Sequence, residues 1–396
     1  MISVEEARAK ILTSLKPVPT EMIGLMQAHG RVLAQPVQAR LTMPPADVSA
    51  MDGYALRAAD ATQGAVLKLI GEAPAGHPFV GEIRAGETVR LFTGSVVPRG
   101  ADAVLIQENT AARGHDVEVN EPVSIGKNIR RAGQDFLAGD LILAAGKRLS
   151  IRDIGLAGAA GYPWLSVYRR PRVAILCTGD EIALPGEPVP AGGIANSNAA
   201  MLAAFVTAHG GEAVLLPIAR DTQDAIEAGA LAAQGADMLL TTGGASVGAH
   251  DLVQTGLARQ GFTLDFWKIA MRPGKPLIFG HVRDMPMMGL PGNPVSAYVC
   301  ATLFLGAALA AMSGYQVEPP RFETARLTTP MKANDQREDY VRALCSRDET
   351  GPTVTPLPVQ DSSMLSALSR AGALIRRLPN APALATGALV EFLSME

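Results

Sequence analysis

The chain has 396 residues, of which 48% are hydrophobic and 18% are charged, and its formal net charge is −3. This length is typical of two to four domains, and the composition is that of a globular α/β enzyme rather than a disordered or fibrous protein. The nearly balanced charge, without a long basic run, argues against nucleic acid and against an anionic membrane surface as binding partners.

The cysteines and the N-terminus indicate the compartment. Cys177, Cys300 and Cys345 are far apart in the sequence, and no histidine stands at metal-ligand spacing from them. Neither structural zinc nor a disulfide framework is therefore expected, and a reducing cytoplasm fits. The N-terminus lacks the basic start and apolar core of a secretion signal. No apolar run is expected to approach the roughly 20 residues that span a bilayer.

The first predicted region, 1–167, consists of helical and extended arms. Ser3 and Glu6 form a capping-box pattern at the start of an amphipathic helix. The stretch from Thr20 to His29 is predicted as a second helix. Between about 64 and 143, short β segments are broken by glycine and proline. This pattern predicts a small β-rich lobe inserted between the arms.

Strand and helix patterns then alternate from 168 to 318. This alternation predicts a mostly parallel sheet covered on both faces, a three-layer αβα domain whose ligands bind beyond the carboxyl ends of the strands. Within it, Val295–Met312 is predicted as one long apolar helix. Pro319-Pro320 marks the boundary to a last region, 319–396, which returns to β segments.

Two glycine-rich turns carry the strongest functional signal. TTGGASVGAHD (Thr241 to Asp251) and GLPGNPVSA (Gly289 to Ala297) each follow a short apolar run and lead into a helix-compatible stretch. In a strand–turn–helix arrangement, backbone N–H groups and a helix N-terminus hold phosphate, and glycine lets the ligand approach the backbone. Two such turns in one αβ region, with KIAMRPGKPL between them, predict a phosphate-binding site.

Acidic side chains in or beside turns are the candidate metal ligands. Oxygen-only ligands suit Mg²⁺, which often bridges to substrate phosphates. A single Asp or Glu in a turn more often caps a helix or forms an Asx-turn, but several of them beside phosphate-type loops favour a metal and substrate site. The candidates are Asp52, Asp135, Asp180, Glu181, Asp221 and Asp251.

Basic residues predict an oxyanion pocket. Arg272 and Lys275 flank a Pro-Gly pair in a tight turn, and Ser296 opens the helix that follows the second glycine turn. Phosphate, sulfate and molybdate all suit such a pocket. Arg342 and Ser362, from the last region, are candidates to complete it, with a surface salt bridge as the alternative role for Arg342.

Eight ordered segments closely resemble the molybdopterin molybdenumtransferase family, which inserts molybdate into adenylylated molybdopterin. They are SAMDGYA, FTGSVVPRGADAV, GKNIRRAGQD, TGDE, IANSN, TTGGASVG, KIAMRPGKPL and GLPGNPVSA. The chain is similar also to the C-terminal domain of gephyrin. The resemblance implies a homodimer with helical arms, an inserted β lobe, a molybdopterin-binding αβα domain (168–318) and a C-terminal β barrel (319–396). It implies a Mg²⁺-dependent reaction of adenylyl-molybdopterin with molybdate that gives molybdenum cofactor and AMP.

The resemblance also implies roles for single residues and for partners. The acidic positions of the active site are Asp52, Asp135, Glu181, Asp221 and Asp251, of which Glu181, Asp221 and Asp251 serve the metal. The oxyanion positions are Arg272, Lys275, Ser296, Arg342 and Ser362. The phosphate and pterin regions comprise Thr93, Gly243, Gly244, Ser246, Pro276, Gly292 and Asn293. The implied protein partners are the molybdopterin adenylyltransferase of the preceding step and cofactor-accepting enzymes.

Departures from the family pattern leave the preference between molybdate and tungstate open. They are Gln134, Ala249-His250, Arg272 and Asp361. Two alternative functions are a molybdopterin adenylyltransferase, which is typically the αβ domain alone, and a non-catalytic gephyrin-like dimeric scaffold. The long terminal regions argue against the first. The retained carboxylates argue against the second, because mutually repelling charges have no purpose in a scaffold.

Overall fold

The structure is a computed structural model, and it describes residues 1–243, 255–349 and 351–395. By its internal contacts the chain divides into two compact units. The first unit contains Met1–Glu21, Gly30–Ala34 and Val167–Glu396, and the second contains Met22–His29 and Gln35–Ser166.

The described residues of the second unit are organised around a six-stranded sheet. Val66–Ala73 and Glu87–Leu91 run parallel, and their neighbours are antiparallel. Small and branched apolar side chains on the two faces of the sheet form separate core clusters. The spatial order of the strands is Ala103–Ile106, Gly53–Leu56, Glu87–Leu91, Val66–Ala73, Asp116–Val119 and Thr110–Arg113.

Shorter elements complete this unit. Helix Ile151–Ala159 begins at Ser150, which exchanges capping hydrogen bonds with Asp153. Two short antiparallel pairs join Ile129–Arg130 to Val48–Ser49 and Leu141–Leu143 to Val37–Gln38. The 3-10 turns are Leu25–Gln27, Ala58–Asp60 and Gln107–Asn109.

The predicted helix from Thr20 to His29 is wrong. Thr20–Gly24 is a strand, and a 3-10 turn, Leu25–Gln27, follows it. The Leu25 N–H donates to the Pro163 carbonyl oxygen at 2.9 Å. A Cβ on Gly24 would lie 3.7 Å from the Trp164 ring. Contacts with a distant segment therefore override the local helical pattern, as they often do for short stretches.

The first unit opens with helix Val4–Ser14. The predicted capping box is confirmed: the Glu6 N–H donates to Ser3 Oγ at 3.1 Å, and the Ser3 N–H donates to Glu6 Oε2 at 2.8 Å. Val4, Ala7 and Ile11 are buried on one face of this helix. They join the core cluster that lies against one face of the central sheet.

The central sheet of the first unit has six strands among the described residues. The first four in spatial order are parallel, and the last two are antiparallel to their neighbours. Alternate residues of Arg172–Cys177 enter two different core clusters, so both faces of the sheet are covered. The spatial order is Glu212–Leu215, Arg172–Cys177, Met238–Thr242, Met285–Leu290, Ile278–Val282 and Phe262–Trp267.

Helices cover both faces and confirm the predicted three-layer αβα domain. Ser197–Ala208 and the long apolar helix pack on one face, and Gln223–Ala232 packs on the other. The long helix runs as Pro294–Cys300, a π-helical turn Ala301–Leu305, and Gly306–Met312.

The long apolar helix corrects one expectation. Pro294–Met312 has 19 residues and is apolar enough, by length and composition, to cross a membrane. The expectation that no apolar run approaches that length was therefore wrong. About two thirds (67%) of its most apolar stretch is buried inside the protein. That burial is typical of a core helix.

The predicted C-terminal barrel is confirmed. Five strands close on themselves, because Glu338–Asp348 pairs with both Gly351–Pro356 and Ala373–Arg377. The remaining barrel strands are Glu323–Leu327 and Leu389–Ser394, and the helix beside them is Leu365–Arg370. A short strand, Met271–Arg272, adds parallel to Glu338–Asp348 and so ties the basic turn to the barrel.

Candidate active-site cleft

A cleft of about 560 Å³ lies at the carboxyl ends of the central parallel strands. Thr178, Gly243 and Pro291 each follow a strand and line it. Parallel strands present their carboxyl ends at one edge of a sheet, and that edge is where such sheets bind ligands. The start of helix Pro294–Cys300 also lines the cleft. Of the predicted binding residues, the lining includes Glu181, Gly243, Pro276, Gly292 and Asn293.

One described residue of each predicted glycine turn, Gly243 and Gly292, lies close to the other in the lining of this cleft. Gly243 has φ +95, and a Cβ there would lie 2.2 Å from the Thr178 carbonyl oxygen. A Cβ on Gly292 would lie 3.5 Å from the Gly243 Cα atom. Glycine at 243 is therefore needed both for its backbone conformation and for close approach of two loops. Gly244 and Ser246 lie outside the described residues.

Gly243→Ala is expected to destabilise the protein more than a matched change at Gly235. Gly235→Ala adds a Cβ at φ +86 with no atom within 4 Å, so it costs only the unfavourable conformation, about 1 kcal/mol. Gly243→Ala adds a collision with backbone, for which we expect a further loss of about 1–3 kcal/mol. Denaturant unfolding of both variants measures the difference. Equal losses would show that the two loops separate without cost.

The predicted metal ligands are partly placed by the structure. The Asp221 N–H donates to Asp180 Oδ1 at 3.3 Å. Partial burial raises the pKa of Asp221, and the charges of Asp180 and Glu181 raise it further. Asp251 lies outside the described residues. Within residues 1–243, 255–349 and 351–395, no three His, Cys, Asp or Glu side chains form a group able to hold a metal ion, so the metal site remains a prediction.

The basic turn packs under the helix that begins at the cleft. A Cβ on Gly274 would lie 2.6 Å from Cys300 Sγ, so the turn and the helix are in close contact. Arg272 is not a free cation: its Nη2 lies 2.5 Å from Asp339 Oδ2. Lys275 has an exposed side chain, whereas Ser296 is buried in the first turn of the helix. Of the two basic residues in the turn, Lys275 is thus the one without a carboxylate contact among the described ion pairs.

Arg342 is buried inside the protein. It is 1% exposed, and its Nε and Nη1 atoms have no hydrogen-bond partner within the described part of the chain. Burial lowers the pKa of Arg342, while the charge of Asp361 opposes that shift. The alternative of a surface salt bridge is therefore wrong. A buried guanidinium without a bonded anion is costly, and an anionic ligand offsets that cost.

The last region reaches the helix start through one loop. The Arg342 N–H donates to Gln360 Oε1 at 3.0 Å, which fixes the beginning of the loop. Asn293 Nδ2 donates to Ser362 Oγ at 2.9 Å, and the Val295 N–H donates to the Ser362 carbonyl oxygen at 3.1 Å. Ser362 therefore lies at the start of the helix that carries Ser296, and its role in an oxyanion pocket stays a prediction.

Comparison with known proteins finds matches along nearly the whole chain. Three family models match it in succession: the MoeA N-terminal region (domain I and II) over residues 2–161, a probable molybdopterin binding domain over 174–311, and the MoeA C-terminal region (domain IV) over 324–395. A molybdopterin molybdenumtransferase from Haemophilus influenzae is 34% identical over 381 residues, which are 95% of this chain and 94% of that protein. The chain belongs to the molybdopterin molybdenumtransferase family.

Further relatives agree with this membership. A molybdopterin molybdenumtransferase from Nostoc sp. is 36% identical over 332 residues, 81% of this chain and 76% of that protein. A crystal structure of a molybdopterin biosynthesis MoeA protein from Pyrococcus horikoshii is 28% identical, with a TM-score of 0.84 and 99% of each chain covered. The resemblance drawn from the eight segments and the predicted fold class are thereby confirmed.

In this member of the molybdopterin molybdenumtransferase family, the second unit holds three of the predicted site residues. Asp52 Oδ1 accepts hydrogen bonds from the Thr93 N–H at 2.7 Å and from the Thr93 hydroxyl at 2.8 Å. These bonds hold the pKa of Asp52 below its ordinary value. Asp135 is exposed in a turn, and its N–H donates to the Met43 carbonyl oxygen at 3.0 Å. Asp52 and Thr93 thus form one exposed anionic feature.

Sequence reasoning missed the residue that connects the two glycine turns. Asn198 Nδ2 donates to Thr242 Oγ1 and to the Gly292 carbonyl oxygen, both at 2.8 Å. Asn198 belongs to the IANSN segment, which entered the sequence argument only as part of the family resemblance. The available signal was its position: a polar side chain in the first turn of Ser197–Ala208, an otherwise mostly apolar helix.

Proposed function

We propose that this chain inserts molybdate into adenylylated molybdopterin, with release of AMP, to give the molybdenum cofactor. The single observation that carries the proposal is the buried Arg342 guanidinium, which has two unpartnered nitrogens within the described residues. The chain belongs to a family whose curated members are named molybdopterin molybdenumtransferase. A tetrahedral oxyanion is a ligand that a guanidinium, a basic turn and serine hydroxyls suit.

The residues proposed for the oxyanion work by charge and position. Lys275 and Arg342 neutralise molybdate, and the Ser296 and Ser362 hydroxyls donate hydrogen bonds to its oxygens. Arg272 contributes less than a free cation would, because Asp339 shares its charge. Exchange of molybdate oxygens for the pterin sulfurs needs orientation and charge neutralisation more than a protein nucleophile.

The second group of residues holds the nucleotide and the pterin. Backbone N–H groups in glycine turns suit phosphate oxygens, and a cleft of about 560 Å³ has room for a ring beside them. Asp52 and Asp135 are also proposed as catalytic carboxylates, in addition to the proposed metal ligands. The proposed binding residues are Thr93, Gly243, Gly244, Ser246, Pro276, Gly292 and Asn293.

Mg²⁺ is part of this proposal, held by Glu181, Asp221 and Asp251. The fit of the first two rests on their chemistry: both supply oxygen, and partial burial together with the charges of Asp180 and Glu181 raises the pKa of Asp221, a repulsion between carboxylates that a cation relieves. When bound, Mg²⁺ neutralises the diphosphate of the substrate and makes its phosphorus more electrophilic.

The proposal also includes a cytoplasmic homodimer. Its partners are the molybdopterin adenylyltransferase that supplies the substrate and the enzymes that accept the cofactor. The support for these statements is the family resemblance and the balanced, cysteine-poor composition. Light scattering after size exclusion measures the oligomeric state, and a monomer at micromolar concentration would remove the dimer from the proposal.

The decisive assay is AMP release by the purified full chain. We expect release from adenylyl-molybdopterin to require both Mg²⁺ and molybdate, to stop when either is withheld, and to resume when it is restored. A parallel reaction with tungstate ranks the two oxyanions. Tight nucleotide binding without turnover in either oxyanion would instead favour the non-catalytic scaffold.

A further inference from the structure

Two buried oxygens, on residues that line the cleft, have no hydrogen-bond partner among the described residues. They are Thr178 Oγ1 and Asn198 Oδ1, on residues that are 3% and 8% exposed. Both residues line the cleft. Native proteins leave few buried polar atoms unpaired, and each one calls for an explanation.

The hydrogen-bond network fixes the orientation of the Asn198 amide. Nδ2 donates to the Gly292 carbonyl oxygen, which only accepts. It also donates to Thr242 Oγ1, whose own hydrogen goes to the Pro291 carbonyl oxygen at 3.2 Å. A flipped amide would bring two acceptors together at Gly292. Oδ1 is therefore the free group, and it is an acceptor.

Thr178 lies beside Thr242 and Gly243. Its N–H donates to the Thr242 carbonyl oxygen at 3.0 Å, and its Oγ1 would lie 3.0 Å from a Cβ on Gly243. Asn198 bonds the side chain of Thr242, and Thr178 bonds its backbone. The two unpaired oxygens thus flank one short segment, Thr242-Gly243, in the wall of the cleft.

The chemistry of the Asn198 oxygen selects a hydrogen-bond donor, and the Thr178 hydroxyl can accept from the same donor. A phosphate group offers only acceptors at its oxygens, so the Asn198 end of the cleft does not suit it. The proposed substrate has two aromatic rings with an exocyclic amino group, the pterin and the adenine.

We propose that Thr178 Oγ1 and Asn198 Oδ1 accept hydrogen bonds from a ring amino group of the substrate and so set the direction in which it lies in the cleft. This inference rests on the proposed function, because it takes adenylylated molybdopterin as the ligand. The pterin and the adenine share the required chemistry, and paired probes separate them.

The test compares ligands in which an oxo group replaces the amino group, a change that also adds a proton to the neighbouring ring nitrogen. AMP and IMP differ by amino against oxo on the purine, and pterin and lumazine differ in the same way on the pteridine. Isothermal titration or ligand fluorescence gives four affinities for the full chain. The wild type is expected to prefer the amino compound by about tenfold in one pair, because a site built for a donor rejects the analogue that lacks it. The pair that discriminates identifies the ring.

Thr178→Val is the informative variant, and Thr242→Val is its matched control. Thr178→Val removes an unpaired hydroxyl, so Tm should stay level or rise while the amino preference falls below about twofold. Thr242→Val removes a buried hydroxyl that is already bonded on both sides, so Tm should fall while the preference persists. Asn198→Ala should lower Tm and also lose the preference.

Two results would overturn the inference: equal affinities within both pairs for the wild type, or an unchanged preference in Thr178→Val. Neither result depends on turnover. Molybdate-dependent AMP release without any amino preference would leave the proposed function standing and remove only this inference. If the chain never releases AMP but shows an amino preference that Thr178→Val abolishes, this inference stands and the proposed function falls.

Discussion

Arg342→Met is expected to lower molybdate-dependent turnover by about 100-fold or more without lowering the free energy of unfolding. The loss follows from removing a fixed positive charge at the place where the oxyanion is proposed to bind. The stability should be unchanged or higher by about 1–4 kcal/mol, because an apolar side chain of similar volume replaces a buried charge that has no bonded partner within the described residues. Initial rates over a molybdate series and denaturant unfolding measure the two effects.

Arg377→Met is the matched control for this change. Arg377 is also buried in the barrel, at 3% exposure, but its guanidinium donates to the carbonyl oxygens of Lys332 and Pro382. Its removal leaves two carbonyl groups unpaired and is expected to cost about 1–3 kcal/mol with turnover retained. If Arg342→Met loses as much stability as Arg377→Met and keeps its turnover, Arg342 is a structural residue rather than an anion ligand.

Asp221→Asn is expected to lower turnover by about 100-fold, with partial recovery at high Mg²⁺. The substitution keeps the shape of the side chain and removes one of the charges proposed to hold the cation. The Mg²⁺ concentration for half-maximal AMP release should rise correspondingly. A Mg²⁺ titration of AMP release measures it.

Asp224→Asn provides the comparison. Asp224 is an exposed carboxylate three residues later, in the first turn of helix Gln223–Ala232. The same loss of charge there should leave both turnover and Mg²⁺ dependence within about twofold of the wild type, since surface substitutions seldom reach beyond their neighbours. An equal fall in both variants would assign the effect to general charge rather than to a metal ligand.

Parts of the site were readable in the sequence because their chemistry is local. The two glycine turns indicate where strands end and helices begin. In the structure, Gly243 and Gly292 lie close together in the lining of one cleft. Arg272 shows the limit of such reading. Its position in a basic turn predicted a free cation, but Asp339, 67 residues away, engages it through the pairing of Met271–Arg272 with the barrel strand.

Local periodicity also failed where a partner segment decided the outcome. Thr20 to His29 has a helical pattern, yet Thr20–Gly24 is a strand. The N–H of the next residue, Leu25, donates to the Pro163 carbonyl oxygen. Asn198 gave little signal, because its importance lies in joining Thr242 to Gly292, which are 44 and 94 positions away. No sequence pattern encodes a contact of that range when only one sequence is read.

The sequence by itself determined the family and the αβα core and supplied the residues proposed for the site, because these depend on ordered motifs and on periodicities set by backbone geometry. The tertiary structure alone decided which charges are free and which polar atoms lack partners. It buried Arg342, paired Arg272 with Asp339, and, within the part of the chain that the structure describes, left one oxygen each of Thr178 and Asn198 unpaired. Burial and pairing depend on segments that meet only after folding, and the free energy of a charge or an unpaired polar group depends on that environment.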